Sequence, residues 1–244
     1  GIYYDNFGIF AGKNANCDET RDFVFDLMKK ANKLYYTHKY THSYPHCWRC
    51  KNPLLFRLVD QWVIKMDELR PQLIAAIEPV EFQPDFMKKR MLDWLNNMGD
   101  WAISRSRYYG LPLPFYPCQN CGKLTIVGSL DEFKKLSSEK EVDALPHLHR
   151  PYIDKIQINC PHCGAKVSRI KEVGDCWLDA GITPFSTKHY FDDKSFFEKN
   201  FPIECVIEGK EQIRLWFYSL LVMSVVLTGK APYKKIATTP MLLD

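Results

Sequence analysis

A chain of 244 residues, 46% of them hydrophobic, has material for one large domain or two modest ones. Its longest strongly apolar run, residues 215–227, falls well short of the roughly 20 residues a membrane-spanning helix needs, so the sequence predicts a soluble protein with no membrane partner. The balance of 33 basic against 29 acidic residues, net +4, suits a nucleic-acid partner without requiring one.

Residues 18–35 carry Phe23, Val24, Leu27, Met28, Ala31 and Leu34 at helical spacing behind Asp18 as a cap, which predicts an amphipathic helix. A second helix is expected from Pro84, a good first-turn residue, through Phe86, Met91, Trp94, Leu95 and Met98 to a stop at Gly99. Residues 101–116 are dense in aromatics and arginine, and Pro112, Pro114 and Pro117 forbid a long helix; a strand leading into a loop is expected. Residues 118–165 read as an inserted module with a cysteine pair, a short helix near 131–136 and a second cysteine pair. The remainder returns to α/β order: a strand at 203–207, the turn Glu208-Gly209-Lys210, a helix over 211–228, Gly229 as its stop, and a strand at 235–239. In such a βαβ unit ligands sit beyond the carboxyl ends of the strands, which marks Glu208, Gly209, Thr238 and Thr239 as mouth residues.

Nine cysteines, an odd number without a secretory signal near Gly1, argue against a disulfide framework and for metal ligation in a reducing, cytoplasmic compartment. Cys118 with Cys121, and Cys160 with Cys163, each place two thiols on a tight turn whose following glycine permits a positive φ. Two such turns can close a tetrahedral, all-thiolate zinc site, and a small module leans on that metal because its core is small. Redox Cys-x-x-Cys motifs come singly at a helix start, unlike these pairs. Cys47 and Cys50 form half a site, completed by a pair elsewhere in a longer chain or left as plain thiols, with His42 and His46 as alternative nitrogen ligands. Cys17, Cys176 and Cys205 stand isolated.

Four blocks carry a resemblance. Residues 40–56, containing His-Ser-Tyr-Pro-His-Cys-Trp-Arg-Cys at 42–50, and then Gln61-Trp-Val-Ile64, resemble the return from the editing insertion to the catalytic domain in isoleucyl-tRNA synthetases. Residues 100–115 are similar to that family's "WxISRxRYWGxPxP" signature, residues 175–181 to "DxWxDSG", and residues 208–217 to "EGxDQxRGWF". Leucyl and valyl enzymes share versions of these blocks and are the alternative within the class. The resemblance implies an α/β fold, the second part of a class I synthetase Rossmann-type catalytic domain, with a zinc-ribbon insertion and the tail of the editing insertion. It divides the chain into 1–45, the editing tail; 46–117, the return into the catalytic domain; 118–165, the zinc-binding insertion; and 166–244, catalytic domain. The family's HIGH motif is expected before Gly1 and its KMSKS loop after Asp244, so the 244 residues by themselves are expected to be inactive.

By the same resemblance Trp177 and Trp216 flank an isoleucine side chain, and Glu208, Gly209, Glu211 and Gln212 meet the adenylate at a strand-to-helix turn. The partners implied are isoleucine, ATP with Mg2+, and tRNA(Ile). A blander reading makes the tryptophans core residues and Glu211 a complement to a helix dipole. Arg105 and Arg107 suit either the tRNA acceptor end or structural ion pairs. The sequence departs from the family pattern with Tyr109 for Trp, Ala180 for Ser, Glu211 for Asp and Leu215 for Gly; the longer Glu211 moves its carboxylate by about a bond length. Against a free-standing zinc-ribbon nucleic-acid-binding protein stand the acids between the two cysteine pairs, among them Asp131, Glu132, Glu139, Glu141 and Asp143.

Overall fold

The computed structural model describes residues 1–240; the end of the stretch assigned to the catalytic domain, residues 241–244, lies outside the described residues. The chain forms two compact units, Gly1–Asp60 and Gln61–Asp244.

In the first unit a single α-helix, α1 (Asp18–Lys30), follows a short 3-10 turn at Gly8–Phe10. It is shorter than the periodicity predicts because Asn32 takes a positive φ of 53° and ends it. Asp18 is the first helical residue rather than the cap: Cys17 holds the cap position and makes no side-chain cap bond. The apolar stripe is only half sequestered, with Phe23 edge-on to Phe10 at 5.7 Å while Val24 and Met28 remain exposed. Beyond α1, residues 33–45 form no regular element, His46 bridges Pro53, and the chain turns at residues 48–50.

The second unit runs in chain order through β1 (Val63–Ile64), α2 (Arg70–Ile77), β2 (Glu81–Gln83), α3 (Phe86–Asn97), β3 (Trp101–Ala102), β4 (Ser104–Arg105), β5 (Phe115–Pro117) and β6 (Leu124–Ile126). Two short helices, α4 (Leu130–Leu136) and α5 (Glu139–Asp143), precede β7 (Gln157–Asn159), β8 (Lys166–Ser168) and β9 (Val173–Gly174). Three more helices, α6 (Cys176–Gly181), α7 (Thr183–Thr187) and α8 (Lys194–Asn200), lead into β10 (Ile203–Gly209), α9 (Trp216–Thr228) and β11 (Tyr233–Thr239).

The main sheet has the order β10-β11-β2, all parallel. Register aligns Val206, Ile236 and Phe82 in one row, and all three are buried, so this face carries the core. Helices α2, α3 and α9 contribute Leu73, Ile77, Met87, Met91, Leu95, Phe217, Leu220 and Leu221 to the same cluster. The apolar run at 215–227 is therefore a core helix, apolar on nearly every side because nearly every side is covered. No helix among the described residues is long and apolar enough to cross a membrane. Gly229 stops α9 as expected, at φ +73° with its N–H on the Val225 carbonyl at 2.9 Å.

Three expectations need correction. The helix expected over 211–228 is broken: Lys210–Arg214 is a 3-10 turn, Leu215 leaves helical geometry, and α9 begins only at Trp216. Glu208 and Gly209 belong to β10 itself, paired with Thr238 and Thr239 of β11, so the turn starts two residues later, at Lys210. The single strand expected after residue 101 is three short strands, with β3 pairing β1, β4 pairing β9 and β5 pairing β6.

A second cluster surrounds the two hairpins β5–β6 and β7–β8. Tyr116, Val127, Phe133, Val142, Ile153, Ile158 and Val167 fill it, and burial pushes the Tyr116 phenol up to about 12. Arg169, with its side chain fully buried, is held by Asp154 and by the carbonyls of Leu113 and Glu172.

Candidate functional site

Each hairpin of the smaller cluster presents a cysteine turn. Cys118 N–H donates to the Lys123 carbonyl at 2.9 Å and Gly122 N–H to the Cys118 carbonyl at 2.9 Å; Cys160 pairs with Ala165, and Gly164 with Cys160, each at 2.8 Å. Both glycines take the left-handed conformation, φ +70° and +73°, which lets the second cysteine fold back beside the first. The four sulfurs lie within 4.8 Å of one another, with Cys118 to Cys163 at 3.5 Å and Cys121 to Cys160 at 3.7 Å. Four Zn–S bonds of about 2.3 Å at tetrahedral angles put sulfurs about 3.8 Å apart, so the donor set fits that ion. The Asn120 side chain and the Ala165 N–H favour the Cys163 thiolate and draw it down to about 6. Cys121 has the Lys123 N–H in its favour, yet burial and the neighbouring sulfurs push it up to about 11.

The pair Cys47 and Cys50 adopts the same turn in the first unit. Cys47 N–H donates to the Asn52 carbonyl and Lys51 N–H to the Cys47 carbonyl, both at 2.8 Å. Lys51 takes the position glycine holds in the other two, at φ +60°, a conformation costing a side-chain-bearing residue about 1–2 kcal/mol. The N–H groups of Cys50 and Arg49 lower the Cys47 thiol. His46 Nδ1 lies 2.5 Å from the Lys51 carbonyl and His42 Nδ1 3.0 Å from its neighbour's carbonyl, so both rings are engaged with backbone. Among the described residues Cys118, Cys121, Cys160 and Cys163 form the one group of three or more suited to a metal.

The residues singled out around 177 and 208–216 come from two distant stretches, and five positions meet. Trp177 and Ala180 of α6, Glu208 of β10, Gln212 of the 3-10 turn and Trp216 of α9 line one open recess of about 320 Å³. Two bonds fix it. Trp216 N–H donates to Gln212 Oε1 at 3.0 Å, and Trp216 Nε1–H donates to the Ala180 carbonyl at 3.0 Å. With its one polar atom satisfied, the Trp216 indole offers apolar faces. Gln212, not Glu211, is thus the side chain that meets the first turn of α9. Glu211 instead folds back over Gly209, whose missing side chain leaves the space its carboxylate occupies, and neither residue lines the recess. Ala180, where serine would add a hydroxyl, keeps that wall apolar.

Sequence reasoning missed what holds α6 in place. Asp175, buried, caps α6 by accepting from Trp177 N–H at 3.4 Å, and its Oδ2 accepts from Arg105 Nη2 at 2.8 Å and Trp101 Nε1 at 3.3 Å. Arg105 is therefore committed to an ion pair inside the protein, whereas Arg107 is exposed. A second recess of about 360 Å³ lies beside this network, lined among others by Trp94, Trp101, Arg105, Asp175 and, again, Trp177. Gly181 lets α6 meet α9: a Cβ there would sit 2.8 Å from the Ser219 carbonyl oxygen and 2.9 Å from the Met223 side chain.

Known proteins similar to the chain are tRNA ligases. The chain is 41% identical over 223 residues to an isoleucine–tRNA ligase of Clostridium novyi, covering 91% of this chain and 21% of that one. It is 38% identical over 246 residues to an isoleucine–tRNA ligase of Methanocorpusculum labreanum, covering 100% of this chain and 22% of the relative. The chain thus spans about a fifth of the length of the curated relatives it matches. A solved LeuRS–tRNA–LeuAMS ternary complex of Agrobacterium radiobacter is similar at 22% identity and a TM-score of 0.41 over 60% of this chain and 20% of that one, too distant to bear on the site. A family model described as tRNA synthetases class I (I, L, M and V) matches residues 13–244, and the chain belongs to that family.

Proposed function

We propose that these residues form one wall of the amino-acid and adenylate site of an isoleucine–tRNA ligase, which activates isoleucine with ATP and Mg2+ and passes it to tRNA(Ile) in the cytoplasm. The observation that carries the reading is the convergence of Trp177, Ala180 and Trp216 on one recess, with Glu208 and Gln212 at its polar side. Trp177 and Trp216 supply flat apolar surface for a branched aliphatic side chain at little entropic cost. Glu208 stands at the carboxyl end of a parallel strand, the usual place for a ligand in an open α/β sheet of Rossmann type. Gln212 spends its carbonyl on Trp216, which leaves its amide NH2 as a donor for the substrate. Gly209 and Glu211 hold the rim of the same turn, toward the adenylate and its ribose. Residues 118–165 serve as a zinc-binding insertion and residues 1–45 as the tail of the editing insertion. Zinc, held by Cys118, Cys121, Cys160 and Cys163, supplies a structural clamp between the two hairpins. Cys47 and Cys50 offer half of a second site with the same turn geometry. Leucyl and valyl identities are the alternative, and the relatives named above do not favour them.

The test is kinetic. In the longer ligase, Trp177→Ala or Trp216→Ala removes apolar contact worth about 1–3 kcal/mol, so the KM for isoleucine in pyrophosphate exchange rises roughly tenfold or more while that for ATP changes little. Equal losses for both substrates, with a lowered melting point, would make the tryptophans core residues and overturn the assignment.

A further inference from the structure

The recess beside Asp175, at about 360 Å³, is of a size that holds a small molecule. Much of its lining is aromatic: Trp94, Trp101, Trp177 and Tyr218 all contribute to it. The Tyr218 ring stands edge-on to Trp94 at 5.7 Å and tilted against Trp101 at 5.9 Å. Flat, rigid surface of this kind favours a planar ring.

The acceptors of the recess are engaged within the protein. Asp175 Oδ2 accepts from Arg105 and Trp101, and Asp100 Oδ1 accepts from the Met66 N–H at 3.0 Å. Arg105 is engaged as well, with Asp175 and with the carbonyls of Ala102 and Ser104. What is left unmet is a set of donors. Tyr218 is 6% exposed, and among the described residues its hydroxyl has no hydrogen-bond partner. Burial pushes that phenol up to about 12 against the pull of Arg70, so it keeps its proton at neutral pH and can donate it. Trp94 Nε1–H is buried without an acceptor. Arg214, exposed and with its guanidinium 5.3 Å from the centre of the Trp94 ring, makes no ion pair among the described residues. Donors left without acceptors are destabilising, and a ligand that brings oxygen acceptors relieves them.

We propose that this recess binds a small aromatic carboxylate, its ring against Tyr218 and the indoles and its carboxylate on the Tyr218 O–H and the Arg214 guanidinium. The guanidinium fork matches a carboxylate in two parallel bonds. A doubly charged phosphate monoester would call for a second free cation, and Arg105 is already held by Asp175. A ligand cation would meet carboxylates that are engaged. Tyr218, Trp94 and Arg214 do not line the recess beside Trp216, so the assignment does not rest on the reading of that site and either can fail alone.

The probe is cinnamate, titrated into the 244-residue chain by isothermal titration calorimetry. Saturable binding to a single site is expected. Tyr218→Phe should weaken it about tenfold, the order of one hydrogen bond to a charged group, without lowering the Tm, because that hydroxyl has no partner to lose. Arg214→Gln changes an exposed side chain and should weaken binding about tenfold as well. The neutral cinnamamide should bind about tenfold more weakly than the acid. No binding at millimolar cinnamate, a Tyr218→Phe variant that binds as tightly as the parent or melts lower, an Arg214→Gln variant that binds as tightly, cinnamamide as tight as cinnamate, or displacement of cinnamate by an equal concentration of inorganic phosphate would each overturn the proposal.

Discussion

The crossing of α6 on α9 turns on one absent methyl group. Gly181→Ala would gain roughly 1 kcal/mol of helix propensity, so on local grounds the variant should be more stable than the parent. The structure predicts the reverse sign. The added Cβ would meet backbone, the Ser219 carbonyl at 2.8 Å, and the Met223 side chain at 2.9 Å, where ordinary contact begins near 3.4 Å. Ser219 sits on a helix buried over most of its surface, which has little room to retreat. Overpacking of this kind costs about 1–3 kcal/mol, enough to cancel or exceed the propensity gain for alanine. Gly181→Val adds two further methyls and gains less propensity, so a net loss of about 2–3 kcal/mol is expected. For a chain of this size that is a fall in Tm on the order of 4–12 °C. The assay is thermal unfolding followed by circular dichroism, with Gly99→Ala as control, because a Cβ at Gly99 meets nothing within 4 Å. The expected order is parent and Gly99→Ala highest, then Gly181→Ala, then Gly181→Val. A valine variant melting at or above the parent would refute the close crossing.

Two more outcomes can be checked on the same protein. Purified under reducing conditions without chelator, the chain should carry one zinc by elemental analysis; Cys118→Ser should lose it, and absence of stoichiometric metal in the parent would count decisively against the site. Asp154 is partly desolvated, which opposes ionisation, yet its bonds to Arg169 and Arg150 win and hold it below the usual carboxylate range. Its contribution to stability is therefore complete above that range and lost as pH falls through its folded value. Asp154→Asn should cost about 1.5–3 kcal/mol at neutral pH, and the gap to the parent should close on acidification; a gap independent of pH would mean that the charge is not what matters.

What could be read in advance was local. The glycine after each cysteine pair predicted the positive φ of Gly122 and Gly164, and the apolar strand, helix and Gly229 stop predicted the parallel β10–α9–β11 unit. Contiguous residues suffice for such signals. Helix α2 and strand β2 went unpredicted because residues 70–83 show neither clean period, their burial being set by a sheet partner about 150 residues away in sequence. The break at Leu215 is tertiary too, since α9 starts where the Gln212 side chain and the Ala180 carbonyl receive Trp216. Of the candidate recess residues the identities were legible and the meeting was not. It depends on Gly181, and on Asp175 binding Arg105 and Trp101, partners 70 and 74 residues apart.

Trp177 lines two recesses of the second unit, that beside Trp216 and that beside Asp175. A change at that one position therefore alters both linings at once. Truncation to alanine would enlarge the recess that holds Glu208 and Gln212 together with the one that holds the Asp175 carboxylate and the Arg105 guanidinium. One side chain thus bears on the size of two recesses, so the effect of a substitution there cannot be assigned to either of them alone.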